Sequence, residues 1–551
     1  MWITLDFRLP GRYEGSGAIV FELIIEGGRV VDGSGEPARA ADLGIGDDRI
    51  AAIGALGRQP AGVHLGAHGL VVSPGFIDMH SHSDFRLWAN RRAESKIRQG
   101  VTTEVVGNCG FSPAPLSPQF NAELQSFAGF LARGLDWDWQ SLGDYLRRFE
   151  ADGSAVNVLQ LVGHGAIRIA AMGFARRPPT AQELTQMERL AARSIEDGAW
   201  GFSTGLIYAP GCYAQTNELI ALARVARESG SLYASHIRGE GVNLLSSVQE
   251  AIRIGQEAGI AVEVSHIKAA GRANWGKVSE ALALIDAARA EGLDVTADVY
   301  PYLASSTTLS ALLPSWVLEG GIDAMAARLG MPDVRSRVAA EVLSGLPGWE
   351  NPAKNAGWDG IMIAACPGRP AAEGRRLHDL AQEAGKSPIE FAMDLLQSQR
   401  GRVAMILFQL GETDLRSALI HPHVMIGSDG SALAPYGDLG AEKVHPRNYG
   451  TFPRILGKYV REEGILPLEE AIRKMTGLPA RKLGLHDRGV IRIGAKADLV
   501  CFDPQGVNDR ATYTEPHQYP TGIRHVIVNG RVVIRDGEHT GALPGRVLRR
   551  N

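Results

Sequence analysis

The stretch GFIDMHSH, at residues 75–82, decides how the rest of the chain is interpreted. Its short apolar run predicts a buried strand, and His80 and His82 stand at the end of that run. Residues i and i+2 of a strand point to the same side, so both imidazoles can reach one metal ion. Because a His-x-His pair also occurs by chance, this interpretation needs support from elsewhere in the sequence.

Further apolar runs of the same kind follow along the chain. They are TTEVVGNCG, NVLQLVGHG, GFSTGLIY, SLYASHI, AVEVSHIK, DVTADVYPY and HVMIGSD. Segments such as TAQELTQMERLAARSIEDG lie between most of them, with apolar residues at the i, i+3 and i+4 spacing of an amphipathic helix. Eight strands that alternate with helices predict an α/β fold, a parallel (β/α)8 TIM-like barrel of the metal-dependent hydrolase type.

The chain ends and one long interval fall outside this repeat. β-branched runs with Gly turns at both ends predict a small β-sandwich from residues 21–72 and 485–551, around a barrel at 73–484. The interval from Leu303 to Ile420 is too long for one crossover, so we expect an inserted lid or subdomain over the barrel mouth at about 305–380. Residues 1–20 are interpreted as a leader, either disordered or the product of a misassigned start.

Composition excludes several classes of function. The 551 residues carry a net charge of −4, with 57 basic and 61 acidic residues mixed along the chain, so neither nucleic acid nor an anionic membrane is an expected partner. No apolar run is long enough to span a bilayer, and the N-terminus does not resemble a secretory signal. Four sparse cysteines with no CxxC argue against a disulfide framework and favour a cytoplasmic protein.

Potential metal ligands stand where the predicted strands end. Cys109 follows the second strand, His236 and His266 end the fifth and sixth, and Asp429 ends the eighth. Each alone has an ordinary explanation, since a lone Cys is usually a small buried apolar residue and SDG is a common turn. In a barrel, however, these strand ends converge on one mouth, and imidazole, thiolate and carboxylate together suit zinc.

At this point the chain resembles a known family. Six segments are similar to the motifs of the N-acyl-D-amino-acid deacylases (D-aminoacylases) of the amidohydrolase superfamily. They are PGFIDMHSHSD, GVTTEVVGNCGFSPAP, SHIRGEG, EVSHIKAAG, GSDGS and HPRNYGTFPRIL. The resemblance runs from about Phe21 to the C-terminus, and its GNCGFS and HPRxYGTFPR elements are specific to this branch.

The resemblance implies a metal centre with a cysteine where most two-metal relatives have a bridging carboxylated lysine. One tightly bound zinc would be held by Cys109, His236 and His266. A second, more weakly occupied position would be formed by His80, His82 and Asp429. Asp429 would also be the general acid and base, which accepts the proton of water and passes it to the leaving amine.

The resemblance also implies the substrate contacts. The α-carboxylate would be bound by Lys268, Tyr300, Ser306 and Arg447. Tyr208 matches a tyrosine close to the reacting carbonyl, where it would steady the oxyanion.

The expected activity is therefore zinc-dependent hydrolysis of small-molecule N-acyl-D-amino acids to a D-amino acid and a carboxylate. One alternative is an enzyme of the same scaffold that acts on another amide, a cyclic amide or a D-dipeptide, as dihydroorotases and hydantoinases do. Another is a non-catalytic assembly protein that has lost its metal. The D-side-chain preference, the acyl group, the number of metals and the oligomeric state stay open.

Overall fold

Eight parallel strands form the central sheet of the computed structural model, which describes residues 13–14, 18–57, 59–129, 131 and 135–550. Numbered along the chain, they are β8 (Phe76–Asp78), β9 (Val101–Val106), β10 (Asn157–Gly163), β11 (Gly201–Gly205), β12 (Leu232–His236), β13 (Ala261–Val264), β14 (Val295–Val299) and β18 (Val424–Ile426). Each strand pairs in parallel with the next, in the order β8-β9-β10-β11-β12-β13-β14-β18. The predicted barrel is confirmed, and each strand coincides with one of the eight predicted runs, with β9 starting one residue before its run.

The barrel closes just beyond the carboxyl ends of β8 and β18. The Asp429 amide donates to the His80 carbonyl at 2.7 Å, and the His82 amide donates to the Gly430 carbonyl at 2.9 Å. Ser81 and Gly430 are paired in parallel by these bonds. We call these contacts the closing ladder. It joins the two ends of the sheet through the residues that carry candidate metal ligands.

Helices pack around the barrel and within the insertion. They are α1 (Glu94–Ile97), α2 (Asn121–Phe127), α3 (Leu142–Asp152), α4 (His164–Met172), α5 (Ala181–Glu196), α6 (Thr216–Glu228), α7 (Leu244–Ala258), α8 (Lys277–Ala290), α9 (Gly321–Leu329), α10 (Pro332–Ser344), α11 (Pro352–Ala356), α12 (Leu377–Glu383), α13 (Pro388–Ser398), α14 (Glu412–Ile420), α15 (Arg447–Arg454), α16 (Leu468–Met475) and α17 (Gly477–Leu483), with a π-helix over Ile455–Glu462. Helix α5 shows how the sequence sets such a helix. Thr180 and Glu183 form a capping box at its start, and Met187 and Ala191 bury the face turned to the barrel.

Both ends of the chain contribute to a second sheet. Its strands are β3 (Phe21–Val30), β4 (Arg39–Gly46), β5 (Arg49–Gly54), β6 (Ala61–Gly66), β7 (Val71–Pro74), β19 (Leu499–Phe502), β20 (Ile523–Val528), β21 (Arg531–Arg535) and β22 (Glu538–His539). Antiparallel pairing of β7 with β19 joins the N-terminal strands to the C-terminal ones. Apolar residues of both ends, among them Leu43 and Leu499, share one core in this sheet.

The leader interpretation of residues 1–20 concerns residues that are largely undescribed. Within that range β1 (Tyr13–Glu14) pairs with β2 (Ala18–Ile19), while residues 1–12 and 15–17 lie outside the described part of the chain. In that described part, no helix is both long enough and apolar enough to cross a membrane.

A third sheet lies between β14 and β18. Its antiparallel strands are β15 (Ala304–Thr308), β16 (Ile361–Ala365) and β17 (Ala404–Phe408), in the order β15-β17-β16. Helices α9 to α13 connect them. The inserted unit therefore runs to Phe408, beyond the interval of about 305–380 indicated by sequence. Its central strand, β17, comes last of the three strands along the chain.

Candidate metal centre

The polar residues at the strand ends surround one cavity of about 750 Å³ at the barrel mouth. His82, Cys109, His236, His266 and Asp429 all line it. His80 lies beneath, fully buried. The inserted unit supplies part of the wall through Ser305, Ser306 and Thr307 of β15.

One group of ligand atoms comes from Cys109, His236 and His266, whose atoms lie within 4.8 Å of one another. The Cys109 Sγ lies 3.5 Å from the His266 Nε2. Both ring nitrogens of His236 are buried without a hydrogen-bond partner among the described residues. Zinc bonds of about 2.3 Å to sulfur and 2.0–2.1 Å to nitrogen put such atoms about 3.6 Å apart in a tetrahedral site. Spacing and unpartnered nitrogens thus both fit a zinc ion.

A second group contains His80, His82, Cys109 and Asp429, again within 4.8 Å of one another. The Cys109 Sγ is 3.3 Å from the His80 Nε2. Oδ1 of Asp429 lies 3.1 Å from the His82 Nε2 and 3.6 Å from the His80 Nε2. Because Cys109 belongs to both groups, its thiolate stands where a bridging ligand would stand.

Glycine backbone makes room for the Cys109 loop. Cys109 has a φ of 55°, in the left-handed region that few non-glycine residues adopt. A Cβ on Gly205 would overlap the carbonyl oxygen of Cys109, and a Cβ on Gly107 would overlap the backbone of β10. His266 and Asp429 also have positive φ values, of 37° and 50°. Such backbone persists only where its surroundings fix it, as they do at functional sites.

The charges around the thiol and the carboxyl favour their ionised forms. Burial raises the pKa of the Cys109 thiol, but the charges of His80 and His266 outweigh burial and bring that pKa well below its ordinary value. Burial likewise opposes ionisation of Asp429, yet Arg447 and His266 hold the pKa of its carboxyl well below the usual range. Thiolate and carboxylate are the forms that ligate metals.

Two carboxylates that sequence reasoning missed hold the histidines in place. Asp298 of β14 lies with its Oδ2 3.4 Å from the His80 Nδ1, and its Oδ1 accepts from the His266 amide at 3.0 Å. Glu240 lies 3.1 Å from the His266 Nδ1. A carboxylate partner of this kind orients a metal-binding imidazole. The only signal for Asp298 is a buried acidic residue within the apolar run DVTADV.

The predicted substrate-contact residues all line the same cavity. The Tyr208 hydroxyl is 2.9 Å from the Thr307 Oγ1, which ties it to the inserted sheet. The Tyr300 hydroxyl is buried without a hydrogen-bond partner among the described residues. Lys268 and Arg447 lie over the Tyr300 ring, 5.5 and 4.8 Å from its centroid.

The two cations are also paired with acids. The Lys268 Nζ donates to the Glu240 Oε1 at 2.6 Å. The Arg447 Nη1 lies 2.7 Å from the Asp429 Oδ2, and its Nη2 donates to the Ser306 carbonyl at 3.3 Å. The contact between Arg447 and Asp429 was not expected from sequence, since the two residues were assigned to different roles.

Comparison with known proteins supports a specific relationship. The model of the Amidohydrolase family matches residues 66–534 of the chain. A D-aminoacylase of Alcaligenes xylosoxydans xylosoxydans is 39% identical, over 96% of this chain and 98% of that protein. A solved D-aminoacylase with a binuclear metal centre superposes with a TM-score of 0.81 at 39% identity, covering 96% of this chain and 100% of the other. N-acyl-D-glutamate deacylase from Bordetella bronchiseptica, solved with zinc and a phosphonate inhibitor that mimics the tetrahedral intermediate, gives a TM-score of 0.80 at 38% identity, covering 96% and 99%.

The packing of Gly205 against Cys109 yields a prediction. Gly205→Ala should weaken zinc binding at least about tenfold, because the added methyl group displaces the backbone of a shared ligand. Competition with a chromophoric zinc chelator measures this affinity. Gly66→Ala is the matched control, because a Cβ there meets nothing within 4 Å. Wild-type affinity in the Gly205 variant would mean that the Cys109 position does not depend on this contact.

Proposed function

The chain belongs to the amidohydrolase family, and from that premise we propose that it is a zinc-dependent hydrolase that cleaves N-acyl-D-amino acids to a D-amino acid and a carboxylate. One observation carries the proposal: Cys109 is shared by two groups of ligand atoms at the bottom of a cavity that also holds Tyr300, Lys268 and Arg447. A metal ion held by these ligands would supply the hydrolytic chemistry, and the cationic side chains of Lys268 and Arg447 suit a substrate carboxylate.

The ligand sets divide by their chemistry. Cys109, His236 and His266 would hold the tightly bound zinc, since thiolate and imidazole together favour this metal. His80, His82 and Asp429 would form the second, weaker position, and Cys109 would be shared with it. Zinc, when bound, polarises a carbonyl and lowers the pKa of bound water to about 7.

Asp429 moves the proton. Its carboxyl is held ionised beside Arg447, so it can accept a proton from the attacking water. As the C–N bond breaks, the same proton passes from Asp429 to the amine nitrogen, which leaves as the free amino group. The water oxygen stays on the acyl carbon and completes the released carboxylate.

Tyr208 and the carboxylate-binding residues orient the substrate. Burial raises the pKa of the Tyr208 phenol well above its usual value, so it stays protonated and donates a hydrogen bond to the developing oxyanion. Tyr300, with a buried and unpartnered hydroxyl, binds the α-carboxylate together with Lys268, Arg447 and Ser306. We also place the protein in the cytoplasm, in keeping with its four free cysteines.

The activity assay compares enantiomers directly. We expect zinc-loaded protein to release free amino acid from N-acetyl-D-methionine, N-acetyl-D-glutamate or N-acetyl-D-aspartate, and not from the L-enantiomers. Protein with the Cys109→Ala substitution is the control and should be inactive on all of them. Cleavage of cyclic amides or D-dipeptides alone would instead support the alternative substrate class, and protein that binds no zinc would favour a non-catalytic member.

The role of Asp429 is tested by Asp429→Asn. Removing a general acid and base should lower kcat by about 10²- to 10⁴-fold. The zinc held by Cys109, His236 and His266 should remain, as measured by elemental analysis after gel filtration. Normal turnover in this variant would remove Asp429 from the proton transfer.

The role of Tyr300 is tested by Tyr300→Phe. Loss of one hydrogen bond to a charged group should raise KM for the acyl amino acid about tenfold or more, with little change in zinc content. Tyr302→Phe is the matched control, because Tyr302 is equally buried but its hydroxyl bonds to Asp509 at 3.5 Å, away from the cavity. An unchanged KM for Tyr300→Phe would place the carboxylate elsewhere.

A further inference from the structure

A fully buried ammonium lies beneath the metal centre. Lys96 of α1 has no exposed surface. Its Nζ donates to the Ser428 Oγ at 2.6 Å, the Asp78 Oδ2 at 2.7 Å, the Gly430 carbonyl at 3.2 Å and the Ser81 Oγ at 3.3 Å. The carboxyl group of Glu104 lies 3.4 Å away. None of the roles assigned above uses this lysine.

The groups that Lys96 contacts belong to the closing ladder or stand next to it in the chain. Asp78 is two residues before His80, while Ser428 and Gly430 stand on either side of Asp429. The network continues through main-chain groups. Asp78 Oδ1 accepts from the Ser428 amide at 2.8 Å, and the Ser428 Oγ accepts from the Gly430 amide at 3.0 Å. The ammonium therefore ties the strand end that carries His80 and His82 to the one that carries Asp429.

The other ligand group is held differently. His236 ends β12 and pairs with Gly205 of β11, and His266 lies two residues beyond β13, where its amide donates to the Asp298 Oδ1 at 3.0 Å. Lys96 makes no hydrogen bond or ion pair with Cys109, His236 or His266 among the described contacts. Its influence is thus confined to one side of the metal centre.

Stability alone does not account for a buried charge here. Removing an ammonium from water is costly, and apolar residues in place of a buried ion pair are often as stabilising or more so. Lys96 supplies directed hydrogen bonds to both sides of the closing ladder, which an apolar side chain cannot do.

We propose that Lys96 is a positioning residue for the second metal position, formed by His80, His82 and Asp429, and through it for the proton-accepting carboxylate. The metal-binding part of this inference stands on the ligand geometry. Only its consequence for turnover rests on the proposed function.

The test measures zinc binding by the Lys96→Met variant, with calorimetry and elemental analysis up to millimolar Zn²⁺. We expect the first equivalent to bind as in the wild type and the second to bind about 10- to 100-fold more weakly, the effect typical of losing a partner behind a metal ligand. With an N-acyl-D-amino acid, kcat should fall at least about tenfold while KM changes less than about twofold.

Two further variants keep the test decisive. Ser428→Ala removes a bond to Lys96 without changing the charge, so it should weaken the second site even if Lys96→Met fails to fold. Lys474→Met is the matched control. Lys474 is equally buried, but it donates to the Val424 carbonyl at the other end of β18, so both sites should bind as in the wild type.

Three results would overturn the inference. The first is that folded Lys96→Met and Ser428→Ala both bind the second equivalent of zinc with wild-type affinity. The second is an equal loss of zinc affinity at both metal positions. The third is a wild-type protein that binds only one equivalent at millimolar Zn²⁺. Failure of the proposed function is distinguishable from these. It would appear as no hydrolysis of any N-acyl-D-amino acid, while the zinc-binding differences persist.

Discussion

The barrel mouth that carries the candidate metal ligands depends on two main-chain hydrogen bonds. The amide of Asp429 donates to the His80 carbonyl, and the amide of His82 donates to the Gly430 carbonyl. They close the sheet between its first and last strands, and the residues that make them carry three of the candidate ligands. Because ladder pairing fixes register, closure of the barrel and assembly of the second ligand group are one structural event.

The backbone of Cys109 depends on a different constraint, which is the absence of a side chain on the glycines around its loop. Its left-handed backbone is packed against Gly205, and Gly107 lies against β10 with no space for a methyl group. The thiolate reaches both ligand groups because its main chain lies so close to the neighbouring strand ends. The glycines that flank the cysteine in GNCG thus allow its backbone position. A cysteine that was only a small buried apolar residue would not require them.

The barrel, and the gathering of the candidate ligand residues at its mouth, could be predicted from sequence because both signals are local. Each barrel strand is a short apolar run, and every candidate ligand lies at the carboxyl end of a strand or within four residues after it, where the barrel mouth forms. Asp298 and Lys96 could not be placed in this way, since their roles arise from partners far along the chain. The extent of the insertion was similarly hidden, because β17 is recognisable as part of it only through its pairing with β15 and β16.

Arg447 shows how the structure can add a partner to a role inferred from a motif. Sequence resemblance assigns it to the substrate α-carboxylate, whereas its Nη1 lies 2.7 Å from the Asp429 Oδ2. The guanidinium has several donors, so it can face a substrate carboxylate and Asp429 from different edges. On the proposed assignment, substrate binding and the ionisation of Asp429 would be coupled through this one side chain. A change in KM alone therefore cannot identify what Arg447 binds, and the unpaired hydroxyl of Tyr300 is the cleaner probe of the carboxylate site.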